Sequence, residues 1–104
     1  MKTTLAFALA LGLVFAGSTA SASTEEAMTK AGCMACHSKD KKLVGPAFKD
    51  IAAKYKGQDV TAKLMEKVRK GGSGTFGPVP MAPTGPDKIG DAELKAAVEL
   101  ILKS

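Results

Sequence analysis

The chain has 104 residues and a formal net charge of +5 at pH 7, with 45% hydrophobic residues, 5% aromatic residues and no tryptophan. Residues 23–104, the part expected to remain after removal of the N-terminal segment, suit one small domain near the lower limit for a self-sufficient core, so such a chain usually needs a cross-link or a cofactor. The positive charges are dispersed and aromatic residues are few, which argues against nucleic-acid binding.

The first residues have the pattern of a secretory signal peptide. Lys2 gives a short positive start, residues 5–16 are a nearly unbroken apolar run, and Ala20-Ser21-Ala22 matches an A-x-A cleavage site. The apolar run is too short to favour a bilayer span. We therefore expect residues 1–22 to be a cleaved signal peptide and residues 23–104 to be one exported domain. An uncleaved N-terminal anchor is the alternative.

Four short helices are predicted in the exported domain, so the expected fold class is all-α. Ser23 and Glu26 have the spacing of a capping box at the start of the first helix, and apolar residues recur at helical spacing in the others. The predicted helices run from Ser23 or Thr24 towards Gly32, from Pro46 to Gly57, from Asp59 to Gly71, and from Asp91 to Lys103, with Asp59 and Asp91 as the N-caps of the last two.

The most informative motif is Cys33-Met34-Ala35-Cys36-His37, because Cys-x-x-Cys-His is the attachment signature of a c-type haem. Two thiols at this spacing can each bond to one vinyl group of the porphyrin, and the adjacent imidazole is then held under the iron. The motif uses both cysteines and the only histidine of the chain. We predict one covalent haem c, attached through Cys33 and Cys36, with His37 as an axial ligand.

Other uses of the same motif fit less well. A structural zinc site needs four nitrogen or sulfur ligands, and the motif offers three. A thioredoxin-like redox pair belongs to a strand–turn–helix unit, and no convincing strand is predicted here. A plain Cys33–Cys36 disulfide remains as a third alternative, although it leaves His37 unexplained.

The second axial ligand is expected to be a methionine, a common choice in cytochromes c. Met28 and Met34 are too close to the attachment motif to reach the other side of the haem, and Met65 is better explained as core filler. Met81 lies in the irregular segment 71–90, which holds four of the five prolines. Met81 is therefore the predicted ligand; the alternative is an exposed methionine in a stiff loop.

Pro46 is the predicted hydrogen-bond acceptor for the histidine. A ligating histidine usually donates its second N–H to a carbonyl or carboxylate, which fixes the ring orientation. Because the φ angle of proline is fixed, the Pro46 carbonyl would be a rigid target. Pro46 also suits the first position of a helix, and both roles can hold at once.

The sequence resembles the small bacterial class I monohaem cytochromes c over residues 24–104. The resemblance rests on three segments, residues 32–37, residues 44–55 and residues 76–81. It implies the cytochrome c fold, four short helices around a covalent haem, and export to the periplasm, where the haem is attached. It also implies the same site residues, namely Cys33, Cys36, His37, Pro46 and Met81.

Three positions depart from the family pattern. Phe76 stands where the family commonly has a tryptophan that donates to a haem propionate, and phenylalanine has no donor. Lys67 stands at a family arginine that also serves a propionate, so we predict that Lys67 binds the cofactor as a point charge. Thr84 replaces an asparagine. These changes bear on the redox potential rather than on the fold.

The predicted function is soluble electron transfer, with no enzymatic activity, because two side chains would fill both axial positions of the iron. The resemblance implies redox partners such as a nitrite reductase, a terminal oxidase or a membrane cytochrome complex. A haem peroxidase or gas sensor is the alternative if Met81 does not bind iron, and a haem-free thiol protein is a third. The chain is expected to be monomeric.

Lysines are concentrated around the attachment motif. If they ring the cofactor, they would steer an acidic partner to it; the alternative is an ordinary charged surface. These lysines are Lys30, Lys39, Lys41, Lys42, Lys49, Lys54 and Lys56.

Overall fold

The computed structural model describes Gly12 and residues 19–104. Within that part the chain forms five α-helices and no sheet; its β pairing is limited to two isolated bridges. The all-α fold class is confirmed. No helix in the described residues is both long and apolar enough to cross a membrane. The helices are α1 (Thr19–Lys30), α2 (Cys33–Cys36), α3 (Phe48–Lys54), α4 (Thr61–Lys70) and α5 (Asp91–Leu102).

The first predicted helix is divided in two at Gly32. This glycine has φ 87° and ψ 8°, a left-handed conformation that a side chain makes costly. The single turn α2 follows it and carries the attachment motif. Since α1 begins at Thr19, Ser23 lies within the helix and the predicted capping box is wrong for this chain, because a cap must precede the first turn. Most of residues 1–22 lies outside the described residues, and their cleavage stays a prediction.

The second predicted helix begins later than expected, because tertiary hydrogen bonds satisfy its first amides. Helix α3 begins at Phe48 rather than Pro46, with Ala47 in an extended conformation before it. The amides of Phe48 and Lys49 donate to the carbonyls of Ser38 and Lys39, at 2.9 and 3.1 Å. These donors have no partner within the helix, so the preceding loop satisfies them.

The two predicted aspartate caps are also corrected. Val60 precedes α4 and Gly90 precedes α5, and neither position has a side-chain capping hydrogen bond. Asp91 is instead the first residue of α5, where its negative charge favours the positive end of the helix. Asp59 lies one residue before the α4 cap.

Helix α5 packs against α1, α3 and α4, and α1 contacts α2. The apolar stripe predicted for the last helix is buried at Leu94, Ala97 and Val98. It meets side chains from the other helices in one core, which leaves a separate apolar space beside α2. The core side chains are Met28, Phe48, Ile51, Tyr55, Val60, Ile89, Leu94, Ala97 and Val98.

Candidate haem site

An apolar cavity of about 510 Å³ lies beside α2, between α3, α4 and the segment that joins α4 to α5. Its volume is within the range of about 300–1,000 Å³ that is usual for small-molecule and cofactor sites. Apolar side chains such as Ile51, Leu64 and Val68 form part of the wall. The cavity brings together every predicted site residue: Cys33, Cys36, His37, Pro46, Lys67 and Met81.

The single turn α2 places two thiols on this cavity. Cys33 and Cys36 are three positions apart, the spacing that puts two helical residues on one side. Both are half-buried free cysteines. Burial raises the pKa of the Cys33 thiol, more than its own backbone hydrogen bond lowers it, and the charge of Cys36 adds to the rise. Cys33 is therefore a neutral, soft group, and both thiols face an apolar space.

His37 ends α2, and its amide donates to the Cys33 carbonyl at 3.0 Å. Its Nδ1 lies 2.8 Å from the Pro46 carbonyl oxygen, so the predicted contact is present. A carbonyl can only accept, so Nδ1 must hold the proton in this hydrogen bond. The neutral imidazole then has its lone pair on Nε2, and this nitrogen is available to a metal.

The ring of His37 is also fixed by two neighbours, Phe48 and Gly45, that the sequence did not predict. The buried Phe48 ring stacks on it, with centroids 5.4 Å apart and an interplanar angle of 23°. On another side, a Cβ at Gly45 would lie 2.5 Å from Cε1 and 2.9 Å from Nδ1 of the imidazole. Gly45 directly precedes Pro46 in the sequence, but only the folded backbone shows that this glycine touches the histidine.

Met81 has the position expected of an iron ligand carried on a loop. Its backbone is paired with Gly72, as the Gly72 amide donates to the Met81 carbonyl at 3.0 Å and the Met81 amide donates back at 2.9 Å. Among the methionines of the described residues, Met81 alone lines the cavity. Met28 is 1% exposed in the core, and Met65 packs against that core.

The mouth of the cavity carries positive and apolar side chains. Phe76, which lines the cavity, is 40% exposed, and the Lys54 ammonium lies 5.5 Å from its ring centroid. This distance is within the range of a cation–π contact. Lys67 also lines the cavity. Lys54 was not predicted to meet Phe76, because residues so distant in sequence give no local signal.

Comparison with known proteins agrees with this geometry. The family model for cytochrome c matches residues 22–104, most of the chain. The chain belongs to the cytochrome c family. It is 50% identical over 84 residues to cytochrome c2 of Rubrivivax gelatinosus, a match that covers 80% of this chain and 99% of that relative.

Solved cytochromes c have the same fold. The crystal structure of wild-type Nitrosomonas europaea cytochrome c552 matches with a TM-score of 0.68 and 41% identity, over 76% of this chain and 96% of that one. The class 1 cytochrome MtoD of Sideroxydans lithotrophicus ES-1 matches with a TM-score of 0.69 and 27% identity, over 80% and 94%. The resemblance to class I cytochromes c is therefore confirmed.

The predicted haem c is confirmed by membership of this family, whose members bind one haem covalently. The cavity fits such a group on its own chemistry. It is apolar, and it presents two thiols, an imidazole with Nε2 available and a thioether. Small cytochromes c of this kind are electron carriers.

Proposed function

We propose that this cytochrome is a one-electron carrier whose haem is attached through Cys33 and Cys36 and whose iron is bound by His37 and Met81. The observation that carries the proposal is that all four side chains line the same apolar cavity. When bound, the haem iron cycles between Fe(III) and Fe(II) and so supplies the electron-transfer chemistry. The protein's own side chains orient the cofactor and tune its potential.

The protein orients the imidazole and tunes its basicity. The Pro46 carbonyl keeps the proton on Nδ1 of His37, which makes Nε2 a better donor to a metal. The thioether of Met81 is a soft ligand that favours reduced iron and raises the potential. If His37 and Met81 both hold the iron, no position would be left on it for a substrate, so we infer that the protein is not an enzyme.

Lys67 is proposed to serve a haem propionate. It lines the cavity, and its ammonium lies close to Gly72, in the segment that joins α4 to α5. A Cβ placed on Gly72 would be 3.1 Å from this ammonium. A lysine acts there as a point charge and lacks the fork of an arginine. It therefore neutralises one carboxylate without fixing its orientation.

The exposed large apolar side chains support a docking surface at the cavity mouth. Val44, Phe76 and Val79 line the cavity and are 56%, 40% and 57% exposed. Met34, within the attachment motif, and Leu43, in the loop that follows it, are also exposed. A small apolar patch with a charged surround suits a brief encounter between redox proteins.

We infer that the partners are redox proteins such as a nitrite reductase, a terminal oxidase or a membrane cytochrome complex. The carrier would work as a monomer in the periplasm after cleavage before Ser23. Export is supported by the signal-peptide pattern of residues 1–22.

Carbon monoxide separates an electron carrier from a haem peroxidase or gas sensor. We expect the reduced holoprotein to bind carbon monoxide slowly and weakly, because Met81 occupies the iron. Met81→Ala should bind it rapidly, and Met65→Ala, which alters a methionine outside the cavity, should behave like the natural protein. Rapid binding by the natural protein, equal to that of Met81→Ala, would overturn Met81 ligation and favour the sensor.

A further inference from the structure

The segment that carries Met81 is tied at two places to the C-terminal end of α4 and the residues that follow it. The first is the reciprocal backbone pair between Gly72 and Met81 described above. The second is formed by Thr84, whose amide donates to the Val68 carbonyl at 2.9 Å. Both ties lie within three residues of Met81, so movement of this side chain away from the cavity must break or bend them.

Arg69 is the side chain that joins the second tie to a third element. Its Nη1 donates to the Thr84 carbonyl at 3.2 Å, and its Nη2 donates to Oδ1 of Asp91 at 2.7 Å. The Arg69 side chain is only 19% exposed, whereas Asp91 is 85% exposed. One guanidinium thus connects α4, the Met81 segment and the first residue of α5.

We propose that Arg69 is a positioning residue that holds the Met81 segment closed and so keeps Met81 on the iron. This inference rests on the proposed ligation by Met81. The planar guanidinium suits the task because its fixed donors reach a carbonyl and a carboxylate at the same time. Lysine at this position could satisfy one acceptor but not both in the same geometry.

The arrangement predicts that a substitution of Arg69 and a substitution of its partner Asp91 have effects of different size. Asp91→Asn weakens the bond to α5 and leaves the Thr84 carbonyl paired. Arg69→Met removes both bonds, keeps most of the aliphatic length, and leaves the part-buried Thr84 carbonyl without this donor. The larger loss of Met81 ligation should therefore follow from Arg69→Met.

The test is a titration of the ferric holoprotein with imidazole, which must displace Met81 to reach the iron. We expect Arg69→Met to bind imidazole about tenfold more tightly than the natural protein, the effect of losing roughly one charge-assisted hydrogen bond. The imidazole affinities of Asp91→Asn and Arg69→Lys should lie between those of the natural protein and Arg69→Met. Thermal unfolding of each variant is measured in parallel.

Lys70→Met is the matched control. Lys70 is next to Arg69 on α4; its exposed side chain pairs with Glu66 on the same helix and is not among those that line the cavity. Its loss removes a cation from the same region and should leave imidazole affinity unchanged. If Lys70→Met tightens imidazole binding as much as Arg69→Met, the effect is one of general charge and the proposal is wrong.

The remaining outcomes separate this inference from the proposed function. If Arg69→Met melts at a lower temperature but binds imidazole like the natural protein, Arg69 is only structural and the inference is overturned. If Arg69→Met does not fold, the same comparison is made with Arg69→Lys. If the natural ferric protein has no methionine–iron absorption band, both the ligation by Met81 and this inference fail.

Discussion

At the scale of single residues, the orientation of His37 depends on three contacts that act together. The Pro46 carbonyl fixes Nδ1, the Phe48 ring limits rotation from one side, and the Gly45 backbone lies against the imidazole on another. Such contacts stabilise one ring orientation before the metal binds. The imidazole therefore loses little conformational entropy when it binds the metal. Gly45 is the most sensitive of them because it leaves no space for a methyl group.

We expect Gly45→Ala to disturb the histidine. Overpacking of this kind costs about 1–3 kcal/mol, or a fall in melting temperature on the order of 5–20 °C for a domain of this size. The tilt of the imidazole should also change the reduction potential. Both are measured on the holoprotein, by thermal unfolding at the haem absorption band and by redox titration.

Gly90→Ala is the matched control for this substitution. A Cβ at Gly90 would meet only the Glu93 carboxylate, at 3.9 Å, and the φ of Gly90 is −69°, which alanine adopts freely. Because alanine is a poorer N-cap than glycine, the melting temperature should fall slightly, whereas the reduction potential should be unchanged. Equal behaviour of the two variants would show that the imidazole is not constrained by Gly45.

At the scale of elements, the break at Gly32 gives the attachment motif a helix of its own. Helix α1 contributes the buried Met28 to the core, whereas α2 turns both cysteines towards the cavity. Ala22 and Ser23, which flank the predicted cleavage point in α1, are exposed. Cleavage before Ser23 would shorten α1 but leave Met28 and the core contacts in place.

N-terminal sequencing of protein purified from the periplasm tests this processing. We predict that it reads Ser-Thr-Glu-Glu, the sequence that begins at Ser23. The shortened protein should keep the helix content expected for α2 to α5. An N-terminus at Met1, in a membrane-bound product, would instead support the uncleaved anchor.

The elements also show what the sequence can predict and what it cannot. The attachment motif is local, so its chemistry is readable from Cys33 to His37 alone, and Met81 stood out by its place among prolines. The start of α3 was misplaced because the Ser38 and Lys39 carbonyls satisfy its first amides. Such tertiary contacts have no counterpart in local spacing, and the same is true of Gly45.

At the scale of the whole molecule, charge and apolar surface coincide at the cavity mouth. Lys42 lines the cavity, and Lys41 precedes it. Lys39 is partly neutralised by Glu25, 3.5 Å away, so it contributes less than the other two. Within the described residues no ion pair is formed by Lys41 or Lys42, and their charge is therefore available to steer an anionic partner.

We predict that Lys42→Glu slows oxidation of the ferrous protein by ferricyanide, an anion, by about two- to tenfold at low ionic strength. The same variant should react faster with a cationic oxidant such as tris(phenanthroline)cobalt(III). Both differences should vanish at high salt, because the charges are then screened. Stopped-flow kinetics measures the rates.

Lys95→Glu makes the same change of charge on α5, outside the residues that line the cavity. It should alter both rates less than Lys42→Glu does. If the two variants have equal effects at every ionic strength, only the net charge matters, and the cavity mouth is not the site of electron entry.

The most direct test of iron binding by His37 and Met81 is the optical spectrum of the ferric holoprotein. Binding of iron by His37 and Met81 predicts a low-spin spectrum with the weak far-red band of a methionine–Fe(III) bond, and the loss of this band in Met81→Ala. A high-spin ferric spectrum without the band would leave the covalent haem in place. It would contradict ligation by Met81, and with it the assignment as a pure electron carrier.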